Sequence, residues 1–170
     1  MLAELDKLLV SSPTFLPAIT KHYLLSRVLK QPQTMTAHLE KLIKKDPNKS
    51  IFHVTLGRLQ VAEQNFTGSV KSFERAKKLN IKPAPYWELL ANSYIKTANF
   101  DKTKALYEEW YQAQPNDPKA IVGMIKLYEG TGEFKKAIEL AQTYESQVGG
   151  NNLEIRALHA YLLARTGQFK

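Results

Sequence analysis

The chain has 170 residues, is 44% hydrophobic and 24% charged, and carries a formal net charge of +8 with no cysteine. That hydrophobic share excludes an intrinsically disordered chain, and the missing cysteines exclude disulfides and thiolate metal sites. No stretch approaches the ~20 apolar residues of a membrane-spanning helix, and Glu4, Asp6 and Lys7 break the apolar pattern of Met1 to Val10, which is therefore not a signal peptide.

Residues 1–15 read as one amphipathic helix with Leu5 and Leu8 on its apolar side, closed by Pro13. Beyond it a period becomes visible. Phe66, Phe100, Phe134 and Phe169 are 34, 34 and 35 residues apart, Tyr94 is in register with Tyr128, and Phe73 with Tyr107. The period divides the chain into blocks 16–49, 50–83, 84–117 and 118–152, with 153–170 starting a fifth. Block 16–49 keeps Leu39, Leu42 and Pro47 but places Tyr23 and Pro32 where later blocks have other residue types. Block 50–83 carries Leu56, Gly57, Phe66, Phe73 and Ala76. Block 84–117 carries Trp87, Leu90, Ala91 and Tyr94, spaced three and four apart as on one helix face, then Phe100, Tyr107 and Pro115. Block 118–152 carries Met124, Tyr128, Gly132, Phe134 and Ala137, and is one residue longer.

Turn residues fall between these faces. Glu63-Gln64-Asn65, Ala98-Asn99 and Gly130-Thr131-Gly132 divide each block into two helices. Asp46-Pro47-Asn48, Gln114-Pro115-Asn116 and Gly149-Gly150-Asn151-Asn152 divide one block from the next. Asn48, Asn65 and Asn99 either end a helix in the left-handed conformation, which Gly and Asn tolerate, or cap the helices that follow.

A 34-residue period filled in this way resembles the tetratricopeptide repeat. The resemblance covers essentially the whole chain. It implies an all-α fold: a right-handed superhelical solenoid of antiparallel helix pairs, with helix A leading and helix B following in each repeat. Residues 1–15 then stand for the second helix of a preceding repeat and 153–170 for the first helix of a fifth, so the sequence reads as a fragment of a longer array. In the family pattern, small residues at the eighth and twentieth positions let helices approach, and an aromatic at the seventeenth closes the turn. Trp110 and Tyr144 depart from it, standing where the family prefers alanine. The segment Pro13-Thr14-Phe15-Leu16-Pro17-Ala18 is similar to repeat starts in long bacterial repeat lipoproteins of exopolysaccharide and protein-sorting systems, which implies a bacterial source.

Residues that could carry chemistry have structural roles instead. His22, His38, His53 and His159 form no pair at three- or four-residue spacing, so no metal site is expected. His22 and His159 fall at packing positions. No cofactor and no catalytic residue is expected, and the chain reads as non-enzymatic. The Lys41, Lys44, Lys45 and Arg75, Lys77, Lys78 clusters lie in helical segments and read as solvated faces.

In the tetratricopeptide family the A helices line a concave groove. By resemblance, Thr20, Leu24, Arg27, Val54, Arg58, Glu88, Asn92, Lys96, Val122, Lys126, Tyr161 and Arg165 would face it, with Val61, Ile95 and Ala157 alongside. Such a trough suits a protein or peptide partner bearing acidic and apolar residues. Asn92 would serve backbone recognition, since its amide both donates and accepts. The constellation with which some family members clamp a C-terminal carboxylate is absent, because its lead position holds Thr20, Val54, Glu88, Val122 and Ala157.

The resulting expectation is a protein-protein interaction scaffold. RNA binding by a helical repeat resembling the pentatricopeptide family is the alternative, opposed by Trp87, Ala91, Tyr94 and Pro115. End-to-end self-association is a third. The composition suits cytoplasm and periplasm equally; a signal for export would lie outside this chain.

Overall fold

The computed structural model describes residues 2–12, 15–29, 33–79, 85–148 and 151–168. Among them the regular structure is entirely α-helical: α1 (Leu2–Ser11), α2 (Leu16–Val28), α3 (Gln33–Lys45), α4 (Ser50–Ala62), α5 (Phe66–Leu79), α6 (Tyr86–Lys96), α7 (Phe100–Ala113), α8 (Pro118–Gly130), α9 (Phe134–Val148) and α10 (Leu153–Thr166). They fall into two compact units, Met1–Thr97 with α1 to α6 and Ala98–Lys170 with α7 to α10. Pro13-Thr14 at the start of the lipoprotein-like segment, Pro32, the expected turn at Gly149-Gly150 and the last aromatic of the period, Phe169, lie outside the described residues.

In the first unit each helix packs on its chain neighbour, and α4 also touches α6. The core begins where Leu9 of α1 meets Ala18, Ile19 and Tyr23 of α2, Met35 and Leu39 of α3, and Leu56 and Leu59 of α4. It continues through Phe73 of α5, which stacks on Tyr86 of α6 with ring centroids 5.7 Å apart. Trp87, Leu90 and Ala91, three and four apart on α6, are fully buried beside them.

Small residues set how closely the helices approach. Gly57 of α4 lies against the Phe73 ring, where any side chain would collide. Ser69 of α5 and Ser93 of α6 are both fully buried, and the Ser69 hydroxyl donates to Ser93 Oγ at 2.8 Å. These are the close approaches that small residues were expected to permit.

The second unit builds its core from Ile121, Val122 and Ile125 of α8, Ala137, Ile138, Ala141 and Tyr144 of α9, and Ile155 and Leu162 of α10. Trp110 and Tyr144, the two departures from the alanine preference, are buried within this unit. Trp110 lies in a stacked arrangement with Tyr107, and its indole N–H donates to Asp117 Oδ2 at 3.0 Å. The Trp110 ring is thus held by an aromatic neighbour and an acceptor for its polar atom rather than by an open gap.

Helix ends correct the capping expectation in part. Asn65 Oδ1 does accept from the Gly68 N–H at 2.9 Å. Asn99 occupies the N-cap of α7 without a side-chain cap bond, and Asn48 instead accepts from Arg75 at 3.0 Å. The working caps further along are Asp117, which accepts from the Lys119 N–H, and Asn152, which accepts from the Ile155 N–H. At the turns inside the helix pairs, Gln64 (φ 59°), Ala98 (φ 56°) and Gly132 (φ 78°) all take the left-handed conformation. The seventeenth-position aromatic does not always close its turn: Phe66 and Phe134 are partly buried, but Phe100 is 65% exposed.

Candidate partner-binding face

In the repeat register read from the sequence, α2, α4 and α6 of the first unit would be A helices. On α4, Phe52, Thr55, Leu56 and Leu59 turn inward, and the helix period leaves Val54, Arg58 and Val61 half-buried at its outer edge. On α6 the same logic buries Trp87, Leu90 and Ala91 and leaves Glu88, Asn92, Ile95 and Lys96 exposed. On α2, Leu24 is 56% exposed although its neighbours Tyr23 and Ile19 are buried. The side chains of Thr20 and Arg27, also expected on this face, lie outside the described residues.

Two of the expected residues come together at one concavity. Ile19, Tyr23 and Leu24 of α2 and Thr55, Arg58, Leu59 and Ala62 of α4 line an open pocket of about 440 Å³. Its wall is apolar apart from Arg58 and two hydroxyl-bearing residues, and the Thr55 hydroxyl is already donated to the Ile51 carbonyl at 2.8 Å. Arg58 Nε is buried and has no hydrogen-bond partner among the described residues. A guanidinium presents its donors in a planar fork matched to carboxylates, and leaving a buried donor unpaired costs stability. Sequence position marked Arg58 as one cation among several; only the packing around it distinguishes it.

The second unit treats its expected residues differently. Val122 belongs to the core cluster, because α9 and α10 both pack on α8 and cover it. Lys126 Nζ on α8 donates to Glu154 Oε1 on α10 at 2.9 Å. Arg165 on α10 donates to Glu129 Oε1 on α8 at 2.8 Å and to the Tyr161 hydroxyl at 3.0 Å, and its guanidinium lies 4.8 Å from the Phe134 ring centroid. These two cations, read from sequence as offered to a partner, are therefore occupied within the fold. Glu129 and Glu154 stand 36 and 28 residues from the cations they neutralise, a distance at which the sequence carries no pairing signal. Tyr161 remains 47% exposed.

Histidines occupy structural positions. His22 is buried with Nδ1 3.1 Å from Ser26 Oγ, His53 Nε2 lies 2.9 Å from the Pro47 carbonyl, and His159 Nδ1 lies 3.0 Å from Glu145 Oε2. Among the described residues, no group of three or more His, Asp or Glu could hold a metal ion, and no helix is long and apolar enough to cross a membrane.

No protein-family profile matches the chain. A curated relative, anaphase-promoting complex subunit 3 of Schizosaccharomyces pombe, is 24% identical over 101 residues; the match takes in 59% of this chain and 15% of that protein. The chain thus spans a small part of the curated relative's length. Among solved structures, YrrB, a tetratricopeptide-repeat protein with an unusual peptide-binding site, superposes with a TM-score of 0.67 at 12% identity, over 96% of this chain and 84% of its own. A thermophilic tetratricopeptide-repeat protein of Thermus thermophilus superposes with a TM-score of 0.63 at 16% identity, over 96% of this chain and 89% of its own. At these identities the likeness is one of fold, and that fold is the all-α helical repeat of the tetratricopeptide-repeat proteins.

Proposed function

We propose that the chain is a non-enzymatic interaction scaffold that holds a peptide or protein segment on the A-helix face of its first unit. The observation that carries this reading is Arg58: a guanidinium with a buried, unpartnered Nε at an apolar pocket, on a face where Leu24, Asn92 and Lys96 are exposed. An apolar concavity with a few fixed polar groups is the usual composition of a recognition site. The peptide-binding site of YrrB, on a chain of the same fold, supports it. The division into repeats at 16–49, 50–83, 84–117 and 118–152, between a leading helix at 1–15 and a trailing one at 153–170, belongs to the same proposal.

Lys126 and Arg165 have a smaller part in this reading than their register positions suggest, since each already has a carboxylate. The partner therefore meets its cation at Arg58, with Lys96 and Asn92 further along.

The test is capture from a lysate of the source organism after nuclease treatment, comparing the intact chain with an Arg58→Glu, Asn92→Ala variant of unchanged helicity. A defined protein retained by the first and lost by the second is expected. Recovery of nucleic acid alone, falling steeply with salt, would replace this reading with RNA binding.

A further inference from the structure

The pocket between α2 and α4 has a composition more specific than a general interaction surface. Ile19, Tyr23, Leu59 and Ala62 line it, together with Leu24, which is more than half exposed. An apolar pocket of about 440 Å³ open to solvent has room for a large side chain entering from outside. Arg58 contributes a permanent positive charge to the same wall, and its Nε is shut off from solvent without a hydrogen-bond partner. Elsewhere on the A helices the cations Lys126 and Arg165 are answered by Glu154 and Glu129. Among the described residues, Arg58 is not answered by a carboxylate in this way.

We infer that this pocket seats one large apolar side chain of a bound peptide, and that Arg58 pairs with a carboxylate adjoining that side chain. The inference rests on the scaffold reading and specifies its ligand. A carboxylate fits because it accepts two parallel N–H bonds from the terminal Nη1 and Nη2 atoms of a guanidinium, the end away from the solvent-shielded Nε. Its nearness to the apolar anchor follows because Arg58 lines the cavity itself rather than a remote rim. Burial of the anchor excludes water from the ion pair and strengthens it.

The experiment selects short random peptides, displayed on phage, against the intact chain and measures resynthesised peptides by fluorescence polarisation. The expected peptides share a large apolar residue beside Asp, Glu or a C-terminal carboxylate. Their affinity drops about tenfold or more in Arg58→Gln and also drops in Leu24→Ser. Replacing the acidic residue of the peptide by its amide gives a similar drop against the unaltered chain, which keeps the test intact if Arg58→Gln fails to fold. Peptides that lack an acidic residue, or that bind Arg58→Gln as well as the parent, would overturn the inference and leave the scaffold reading standing. No selected peptide, together with binding of single-stranded RNA or inorganic phosphate lost in Arg58→Gln, would overturn both.

Discussion

A Cβ added to Gly57 would stand 2.6 Å from Cε1 of Phe73, whose ring is fully buried and stacked on Tyr86. The ring cannot yield without disturbing α6, so α4 and α5 approach this closely only because position 57 has no side chain. Gly57→Val is expected to cost about 1–3 kcal/mol by overpacking, read as a lower denaturation midpoint. Gly57→Val combined with Phe73→Leu should cost less than the sum of the two single changes, because the contact is pairwise. An unchanged midpoint in Gly57→Val would mean that the two helices are not locked at this spacing.

Gln64 holds a left-handed backbone, φ 59°, at the turn between α4 and α5. A side chain bearing Cβ costs roughly 1–2 kcal/mol there, whereas glycine does not, although glycine loses part of that advantage through unfolded-chain entropy. Gln64→Gly should therefore raise stability by about 0.5–1 kcal/mol, and thermal melting checks it. A lower Tm would place the strain elsewhere.

Asp117 serves two neighbours at once: Oδ1 accepts from the Lys119 N–H at the start of α8, and Oδ2 accepts from the Trp110 indole at the end of α7. Asp117→Ala removes the cap and leaves the buried indole only the longer bond to Gln114 Oε1, at 3.3 Å, for a loss of about 1–2 kcal/mol. Trp110→Phe in that background should cost less than in the parent, and a double-mutant cycle measures the difference.

Glu133 and Lys136 form an ion pair at the start of α9. The Lys136 hydrogen bond, then that of Thr131, holds the Glu133 carboxyl below its ordinary 4.5, and Glu133 holds the lysine above its ordinary 10.5. A lowered carboxyl pKa contributes stability above the unfolded value that is lost as pH falls through the folded one. The raised lysine contributes below its unfolded value and loses that as pH rises through the folded one. Both groups are exposed, so the effect is small. The Tm difference between the parent and Glu133→Gln should be largest between these limits and vanish in acid; a difference that persists in acid would point to a contact other than the ion pair.

Much of the fold was legible in the sequence because it is written in spacing. Trp87, Leu90 and Ala91 lie three and four apart and end fully buried, and the turn at Gln64 falls where the 34-residue register puts it. What stayed hidden depends on contacts between residues far apart in the chain. Val122 occupies a position that the register assigns to the groove, yet α9 and α10 cover it. Lys126 and Arg165 are indistinguishable from Arg58 in sequence; only packing pairs the first two and leaves the Nε of the third without a partner. Capping was misread at Asn48 and Asn99 because an asparagine before a helix is a permissive signal, and the bond depends on backbone geometry.

A partner seated on the A-helix face of the first unit is detected most directly by photocrosslinking. A photoreactive amino acid is placed at Ile95, exposed on α6, or at Lys71, exposed on α5, and partner is captured after nuclease treatment. A protein adduct is expected from position 95, weakened by Arg58→Glu, with little from position 71. An adduct formed from position 71 and absent from position 95 would contradict binding on this face.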